Sequence, residues 1–155
     1  TTLINVATPG GMWKSMTEIM VDEKDTSHLI DLRQEYGNVL RNLWNPFDRN
    51  NKEVLGCNTV NRLYITPIGD VLPCPYVHIK LGNIFENSLK EISEKGFKYK
   101  PFHDHSDLCL AGEDKEFVQK YLTNDEMGIF NPIPVENIFS NKDMVNSIPT
   151  DTALF

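Results

Sequence analysis

The residues most capable of chemistry in this sequence are its three cysteines, Cys57, Cys74 and Cys109. An odd number of cysteines cannot pair completely within one chain. No secretory leader is recognisable, so we expect a reducing, cytoplasmic setting in which disulfides are rare. Under those conditions a cysteine packs in a core, reacts, or binds a soft metal centre such as zinc, copper(I) or an iron–sulfur cluster.

The spacing of the first two cysteines predicts that they approach each other. Cys57 and Cys74 follow the pattern C-x11-G-x4-C, in which Gly69 is the glycine. The intervening residues predict a β-hairpin, because strand-forming residues flank a turn with well-placed proline and glycine; the strands are 63–66 and 71–72, and the turn is 67–70. A hairpin brings its ends together, and Cys109 would reach the same point from a loop.

Histidines provide candidates for a fourth ligand, since histidine binds both zinc and iron. His103 and His105 lie shortly before Cys109, with Asp107 between them and the cysteine, and His78 follows Cys74. We retain His105 as the candidate metal ligand. The simpler alternatives are surface or capping roles, and for His78 a position on one face of a strand.

Composition narrows the function classes. The 155 residues are 40% hydrophobic and 24% charged, which is ordinary for a globular protein and excludes disorder over the whole chain. The net charge of −7 disfavours direct nucleic-acid binding, which needs a basic surface. No run of eighteen apolar residues exists, so no membrane span is predicted.

The elements that would position the cysteines are both helices and strands. Before the hairpin we predict a strand at 3–7, a helix over 12–20 and a second helix from 25–27 to Asn45-Pro46. After it, Gly82-Asn83 predicts a turn, and Ser88 with Glu91 predicts a capping box. The helix that follows would bury Leu89 and Ile92 and end at a Gly96 cap, and another would cover 114–122.

Two stretches carry a family resemblance: Tyr64-Ile65-Thr66-Pro67-Ile68-Gly69-Asp70-Val71-Leu72-Pro73-Cys74, and Gly82-Asn83-Ile84 followed by Ser88-Leu89-Lys90-Glu91-Ile92. Residues 56–112 thereby resemble a SPASM or twitch domain, the auxiliary-cluster extension of radical S-adenosylmethionine (SAM) enzymes. The resemblance implies that Cys57, Cys74 and Cys109 bind one auxiliary 4Fe–4S cluster. The strand and helices before residue 47 are similar to the last βα unit of a partial radical SAM barrel.

Departures from the family pattern limit what this chain would do alone. The motif C-x3-C-x2-C is absent, so SAM and a second 4Fe–4S cluster are expected in sequence upstream of Thr1, and the chain alone would be inactive. Only Cys109 stands where a full SPASM domain has a later cysteine run, which is closer to a twitch domain. Three cysteines leave one iron open for a histidine or for substrate.

The sequence therefore predicts an α+β chain with three parts: the end of a barrel at 1–47, an iron–sulfur domain at 48–123 and a C-terminal tail at 124–155. The resemblance implies an oxidoreductase-type radical SAM enzyme with a small-molecule or peptide substrate and a reductant such as flavodoxin or ferredoxin. One alternative is a non-catalytic module with a structural zinc held by the cysteines and one histidine. Another is a small binding module without metal.

Overall fold

A computed structural model describes residues 2–4, 7–10, 13, 16–36, 40–42, 56–123, 126–128 and 131–148. The chain divides into two compact units, the first formed by Thr1–Cys57 and Ser106–Gln119, the second by Asn58–His105 and Lys120–Phe155. Within the described ranges, no helix is long and apolar enough to cross a membrane. The mixture of helices and strands agrees with the predicted α+β class.

The first unit contains a β-α-β arrangement. Strand β1 (Thr2–Ile4) precedes helix α1 (Glu23–Tyr36), which leads to strand β2 (Leu40–Asn42). The two strands pair in parallel, with Leu3 opposite Arg41. A parallel pair requires a crossover connection, which α1 supplies. This arrangement is compatible with the predicted βα unit, while the partial barrel remains a proposal.

Helix α1 begins earlier and ends sooner than the sequence predicts. It begins at Glu23 because the Asp22 carboxylate accepts hydrogen bonds from the main-chain N–H groups of Lys24 and Asp25, at 2.8 and 3.0 Å. The predicted end at Asn45-Pro46 is wrong: the helix ends at Tyr36 and strand β2 follows. Leu40 fits the helical period of the sequence, but Leu40–Asn42 pairs with β1 as a strand.

The predicted helix over 12–20 is also wrong in its described part. The chain there forms a short 3-10 turn at Thr17–Ile19. Trp13 and Met16 are 56% and 42% exposed, so they do not pack in the core, whereas Met20 is 2% exposed. Met12 and the predicted domain boundary at 48–52 lie outside the described residues.

The strand predicted at 3–7 is shorter than expected. Strand β1 ends at Ile4, and Ala7 is an exposed residue outside any strand. Residues 5 and 6 lie outside the described part of the chain, and the described pairing of β1 with β2 covers three residues on each strand.

The hairpin of the second unit is confirmed. Strand β3 (Tyr64–Ile65) pairs antiparallel with β4 (Asp70–Leu72), placing Tyr64 opposite Leu72. Gly69 has a φ of +83°, which a residue with a side chain rarely adopts. A third strand, β6 (Gly82–Asn83), pairs antiparallel with β4, so the turn predicted there is wrong.

A buried carboxylate joins the strands of this sheet. Asp70 is 5% exposed, its main-chain N–H donates to the Thr66 hydroxyl at 3.1 Å, and its carboxylate forms an ion pair with Lys80. The Asn83 amide donates to the same carboxylate at 2.9 Å. Burying a charge is costly unless it is paired and hydrogen-bonded, and these partners meet that requirement. They also fix the register of β4.

Helix α2 (Leu89–Gly96) begins as predicted, with both hydrogen bonds of the Ser88–Glu91 capping box present. Ile92 is buried, but Leu89 is 39% exposed, contrary to the prediction. Gly96 is the last helical residue and not the cap. A Cβ there would lie 3.0 Å from side-chain atoms of Leu81 and Val60, so the glycine permits close packing of the helix.

The remaining helices are short. Helix α3 (Lys100–His103) lies in a stretch predicted as a loop. The helix predicted at 114–122 is present as α4 (Lys115–Phe117) and a π-helical turn at Val118–Leu122. Asp114 caps α4 by accepting from the main-chain N–H of Phe117 at 2.8 Å.

The C-terminal segment contributes more structure than a tail. Strand β7 (Ile133–Pro134) pairs in parallel with β5 (Ile79–Lys80), and helix α5 (Val135–Ile138) follows. The next residue, Phe139, is 5% exposed and packs against three aromatic rings, those of Tyr99, Phe102 and Tyr121. The sequence lacks periodicity here because these elements are too short to show any.

Candidate metal centre

Cys74 lies in a tight turn directly after the hairpin. The main-chain N–H of Val77 donates to the Cys74 carbonyl at 3.1 Å, and the N–H of Tyr76 donates to Cys74 Sγ at 3.5 Å. Val77 is buried, while Pro75 and Tyr76 are exposed. An N–H group directed at sulfur favours the thiolate, because hydrogen bonding to the charged form stabilises it. The turn therefore suits a cysteine that binds metal.

The two ends of the hairpin are joined, as the sequence predicts. The main-chain N–H of Val60 donates to the carbonyl of Pro73, the residue before Cys74, at 3.0 Å. Val60 is 1% exposed and has a φ of +68°, a left-handed conformation that is costly for a β-branched residue. The surrounding packing must hold it there. The hydrogen bond sets the position of the segment that follows Cys57.

Cys57 belongs to the first unit, where the loop at Ser106 holds it. Its main-chain N–H donates to the carbonyl of Ser106 at 2.7 Å. Ser106 in turn organises its own loop, because its hydroxyl accepts from the N–H of Leu108 at 3.2 Å and donates to the Leu108 carbonyl at 2.9 Å. The structure thus brings Cys57 to the short segment that contains Cys109.

Cys109 is fixed through its main chain by residues that follow it. Its N–H donates to the Glu113 carboxylate at 2.9 Å. Its carbonyl accepts from three N–H groups at 2.8 to 3.1 Å, those of Gly112, Glu113 and Asp114. Leu110 and Ala111 are buried beneath the turn. The side chain of Cys109, like those of Cys57 and Cys74, is partly buried.

The candidate fourth ligands lie in different surroundings. His105 and Asp107 are exposed. His103 is partly buried, with Nδ1 lying 2.9 Å from the Asp104 carboxylate and Nε2 3.5 Å from the Ser147 hydroxyl. Nε2 of His78 lies 3.2 Å from the Pro75 carbonyl.

Within the described part of the chain, no group of three or more histidine, cysteine, aspartate or glutamate side chains converges as a metal site. Cys57 and Cys109 lie in the first unit and Cys74 lies in the second. The ligand set of three cysteines, with His105 as a fourth candidate, stays a prediction. What the structure describes is the local geometry of each cysteine.

An acidic cavity of about 430 Å³ opens beside the Cys109 loop in the first unit. Its walls come from that loop and from the start of α1: Val21, Asp22, Glu23, Thr26, Leu108, Glu113, Asp114, Lys115 and Glu116. The main-chain N–H of Asp25 and, more weakly, the charge of Lys115 hold the pKa of the Asp22 carboxyl below its ordinary value. The cavity thus keeps a negative charge near the loop down to acidic pH.

The stretch that contains the three cysteines also matches a known protein family. Residues 57–115 match the family model of SPASM, described as an iron–sulfur cluster-binding domain. This stretch begins at Cys57, contains Cys74 and Cys109, and ends at Lys115 in α4. The resemblance recognised in the sequence is thereby confirmed: residues 57–115 form a SPASM-type region. Comparisons with curated proteins and with solved structures found no significant match.

The residues of this region fit an iron–sulfur cluster in their donor chemistry. Iron–sulfur clusters are bound by cysteine thiolates and tuned by hydrogen bonds to sulfur. Each of the three cysteines is partly buried, and Cys74 Sγ already accepts a main-chain hydrogen bond.

Sequence reasoning missed the residues that support the cysteines. The Glu113 carboxylate accepts the Cys109 N–H, a role that the sequence does not predict. Ser106, which accepts the Cys57 N–H through its carbonyl, carries no signal of its own. The available signal for Glu113 was its position four residues after a cysteine, a distance that one tight turn spans.

Proposed function

We propose that this chain is the C-terminal portion of a radical SAM enzyme in which Cys57, Cys74 and Cys109 bind one auxiliary 4Fe–4S cluster. The observation that carries the proposal is the SPASM family match, which contains all three cysteines. The cluster would transfer electrons or bind substrate. SAM, its own 4Fe–4S cluster and the radical chemistry would belong to sequence upstream of Thr1.

Local structure supports each cysteine as a ligand. The Cys74 turn directs a main-chain N–H at the sulfur, and the Cys109 loop is closed by hydrogen bonds at both its N–H and its carbonyl. Such rigid turns lower the entropy that a chain loses when it wraps a cluster. Cys57 is connected through its main chain to the loop of Cys109.

Anaerobic reconstitution tests the cluster directly. The protein is incubated with iron and sulfide without oxygen, and iron and acid-labile sulfide are then quantified. We expect about four irons per chain and a broad visible absorbance, as four-iron clusters give. Cys57→Ser, Cys74→Ser and Cys109→Ser should each lower the iron content. A colourless protein with little iron would contradict the proposal.

Elemental analysis distinguishes an iron–sulfur cluster from a zinc site. Elemental analysis of protein purified without oxygen would give about one zinc and little iron if the site is a structural zinc centre. Unchanged stability of Cys57→Ser and Cys74→Ser, together with no bound metal, would indicate the module without metal.

A histidine variant addresses the fourth iron. We propose His105 as the candidate ligand, and His105→Ala is compared with His28→Ala, a change at an exposed position on α1. If His105 binds iron, only the first variant alters the electron paramagnetic resonance spectrum of the reduced cluster. Identical spectra would leave the open iron for substrate.

The radical SAM context has its own test. The natural coding sequence upstream of Thr1 should contain a C-x3-C-x2-C run, which supplies the three thiolates of the SAM cluster. A full-length protein with that run should cleave SAM when it is reduced by flavodoxin or ferredoxin. If the natural gene lacks the run, the proposed radical SAM activity is contradicted, but the auxiliary cluster can still be tested by reconstitution.

A further inference from the structure

The peptide group between Pro75 and Tyr76 is hydrogen-bonded on both sides. Its N–H, which belongs to Tyr76, donates to Cys74 Sγ at 3.5 Å. Its carbonyl, which belongs to Pro75, lies 3.2 Å from Nε2 of His78. A peptide group is planar, so a contact that fixes the carbonyl also fixes the direction of the N–H. The imidazole and the sulfur therefore lie at opposite ends of one rigid group.

The chemistry of the partners decides which atom of His78 carries the proton. A carbonyl oxygen only accepts hydrogen bonds, so Nε2 must be the donor in this contact. A donor at the carbonyl polarises the peptide and strengthens the hydrogen bond that its N–H makes. The effect of His78 thus reaches the sulfur of Cys74 without any contact between the two side chains.

The main chain of His78 is itself held in place. Its carbonyl accepts the N–H of Ile133 at 3.2 Å, next to the parallel pairing of Ile79 with Ile133. The preceding residue, Val77, is 1% exposed and bonded to the Cys74 carbonyl. The main chain that carries the imidazole is therefore fixed, and the fold itself brings Nε2 to the Pro75 carbonyl.

We propose that His78 is a positioning residue for Cys74, which orients and polarises the Pro75–Tyr76 peptide so that its N–H is directed at the thiolate. This inference rests on the proposed function where it concerns the cluster. Hydrogen bonds to ligand sulfurs stabilise the reduced cluster and so raise its potential. In this assignment His78 acts through the peptide, with Nε2 donating to the Pro75 carbonyl.

Two variants test the assignment. His78→Gln places an amide donor near the position of Nε2, whereas His78→Leu keeps a side chain of similar bulk and removes the donor. His28→Leu, on the exposed side of α1, is the matched control. The first measurement is hydrogen exchange of the Tyr76 amide by nuclear magnetic resonance in the metal-free protein. The second is the midpoint potential of the reconstituted auxiliary cluster.

We expect His78→Leu to exchange the Tyr76 amide about fivefold faster, the effect of losing one modest hydrogen bond on local opening. Its cluster potential should shift to more negative values, and His78→Gln should restore both readouts. Equal exchange rates in all proteins would overturn the assignment, as would faster exchange with an unchanged potential. Loss of iron in both His78 variants at unchanged exchange would instead make His78 a ligand.

The two levels of the proposal fail differently. A wild-type protein that takes up no iron overturns the proposed function. The Tyr76 exchange rates of the metal-free proteins would then still support or overturn the contact of His78 with the Cys74 turn.

Discussion

Cys74 and Cys109 are held by different kinds of contact. The Cys74 turn follows strand β4, and both of its closing hydrogen bonds come from main-chain N–H groups, one of them directed at the sulfur. The Cys109 loop is closed in part by a side chain, because the Glu113 carboxylate accepts the cysteine N–H. One turn is specified mainly by backbone geometry and the other depends on a particular acidic residue.

This difference predicts different sensitivities to mutation. Main-chain hydrogen bonds persist under most side-chain changes, so the Cys74 turn should be disturbed by changes in the backbone of the hairpin before it and, as proposed above, by loss of the His78 donor at the Pro75 carbonyl. The Cys109 loop, in contrast, should be disturbed when the Glu113 side chain alone is replaced, although the backbone can keep its conformation. Four variants break or sharpen this comparison.

Gly69→Val should have the largest effect. The φ of +83° disfavours any side chain, and a Cβ would lie 2.6 Å from Phe85 and 2.9 Å from the Asn83 amide oxygen. We expect a loss of about 3 kcal/mol in the free energy of unfolding, from strain and overpacking together. Urea denaturation measures it. Gly128→Val is the control, since nothing lies within 4 Å of a Cβ there; equal losses would contradict the turn's role.

Asp70→Ala should rank second. It removes the carboxylate that pairs with Lys80 and accepts from Asn83, and it leaves both partners without that acceptor. Lys80 is 29% exposed and can be rehydrated, so we expect about 2 kcal/mol, below the value for a fully buried pair. Lys90→Ala removes an exposed ion pair with Glu94 and should cost less than about 0.5 kcal/mol.

Glu113→Ala should destabilise the Cys109 loop by about 1 kcal/mol, because the Cys109 N–H loses its acceptor. Glu113→Gln keeps an acceptor oxygen and should lose less. Faster hydrogen exchange of the Cys109 amide would locate the effect in this loop. Glu116→Ala, at an exposed carboxylate three residues further on, is the control. If Glu113→Ala leaves the hydrogen exchange of the Cys109 amide unchanged, the Cys109 loop does not depend on this side chain and the contrast with the Cys74 turn fails.

The smallest expected effect is a change in stability at low pH, and it arises from Glu136, in the unit that contains the hairpin. Burial alone would raise the pKa of Glu136, but its hydrogen bond with Lys95, a main-chain hydrogen bond and the charge of Lys95 together outweigh burial and hold that pKa below its ordinary value. A carboxylate with a lowered folded pKa stabilises the fold above its unfolded pKa, and the contribution disappears as pH falls through the folded value. Glu136→Gln should therefore flatten the loss of thermal stability between about pH 5 and 3.

Glu86→Gln, which changes an exposed carboxylate on the same unit, serves as the reference for that titration. A wild-type acid profile that Glu86→Gln and Glu136→Gln alter to the same degree would count against a specific role of the Lys95 ion pair.

The hairpin and the start of α2 were predictable because their signals are local. Gly69 in its turn and the spacing of Ser88 and Glu91 each determine a conformation within a few residues. Strand β2 and strand β7 were not predictable, because each forms by parallel pairing with a strand far away in the sequence. Leu40 in β2 fits a helical period equally well until its partner strand is known.

The candidate site shows the same division. The C-x11-G-x4-C spacing identified Cys57 and Cys74, since the hairpin between them is a local structure. The support of Cys109 by Glu113 and of Cys57 by Ser106 depends on how a loop folds back, which no period or motif in the sequence encodes. The ligand set itself stays a prediction.

Val60 links this architecture to the order in which the protein folds. The hairpin joins nearby residues and can form within about 10 μs, whereas the packing of Gly96 against Val60 is a longer-range contact that forms more slowly. A left-handed valine is rare in an unfolded chain and needs that packing to persist. We therefore expect the segment just after Cys57 to reach its final conformation late, once α2 has docked.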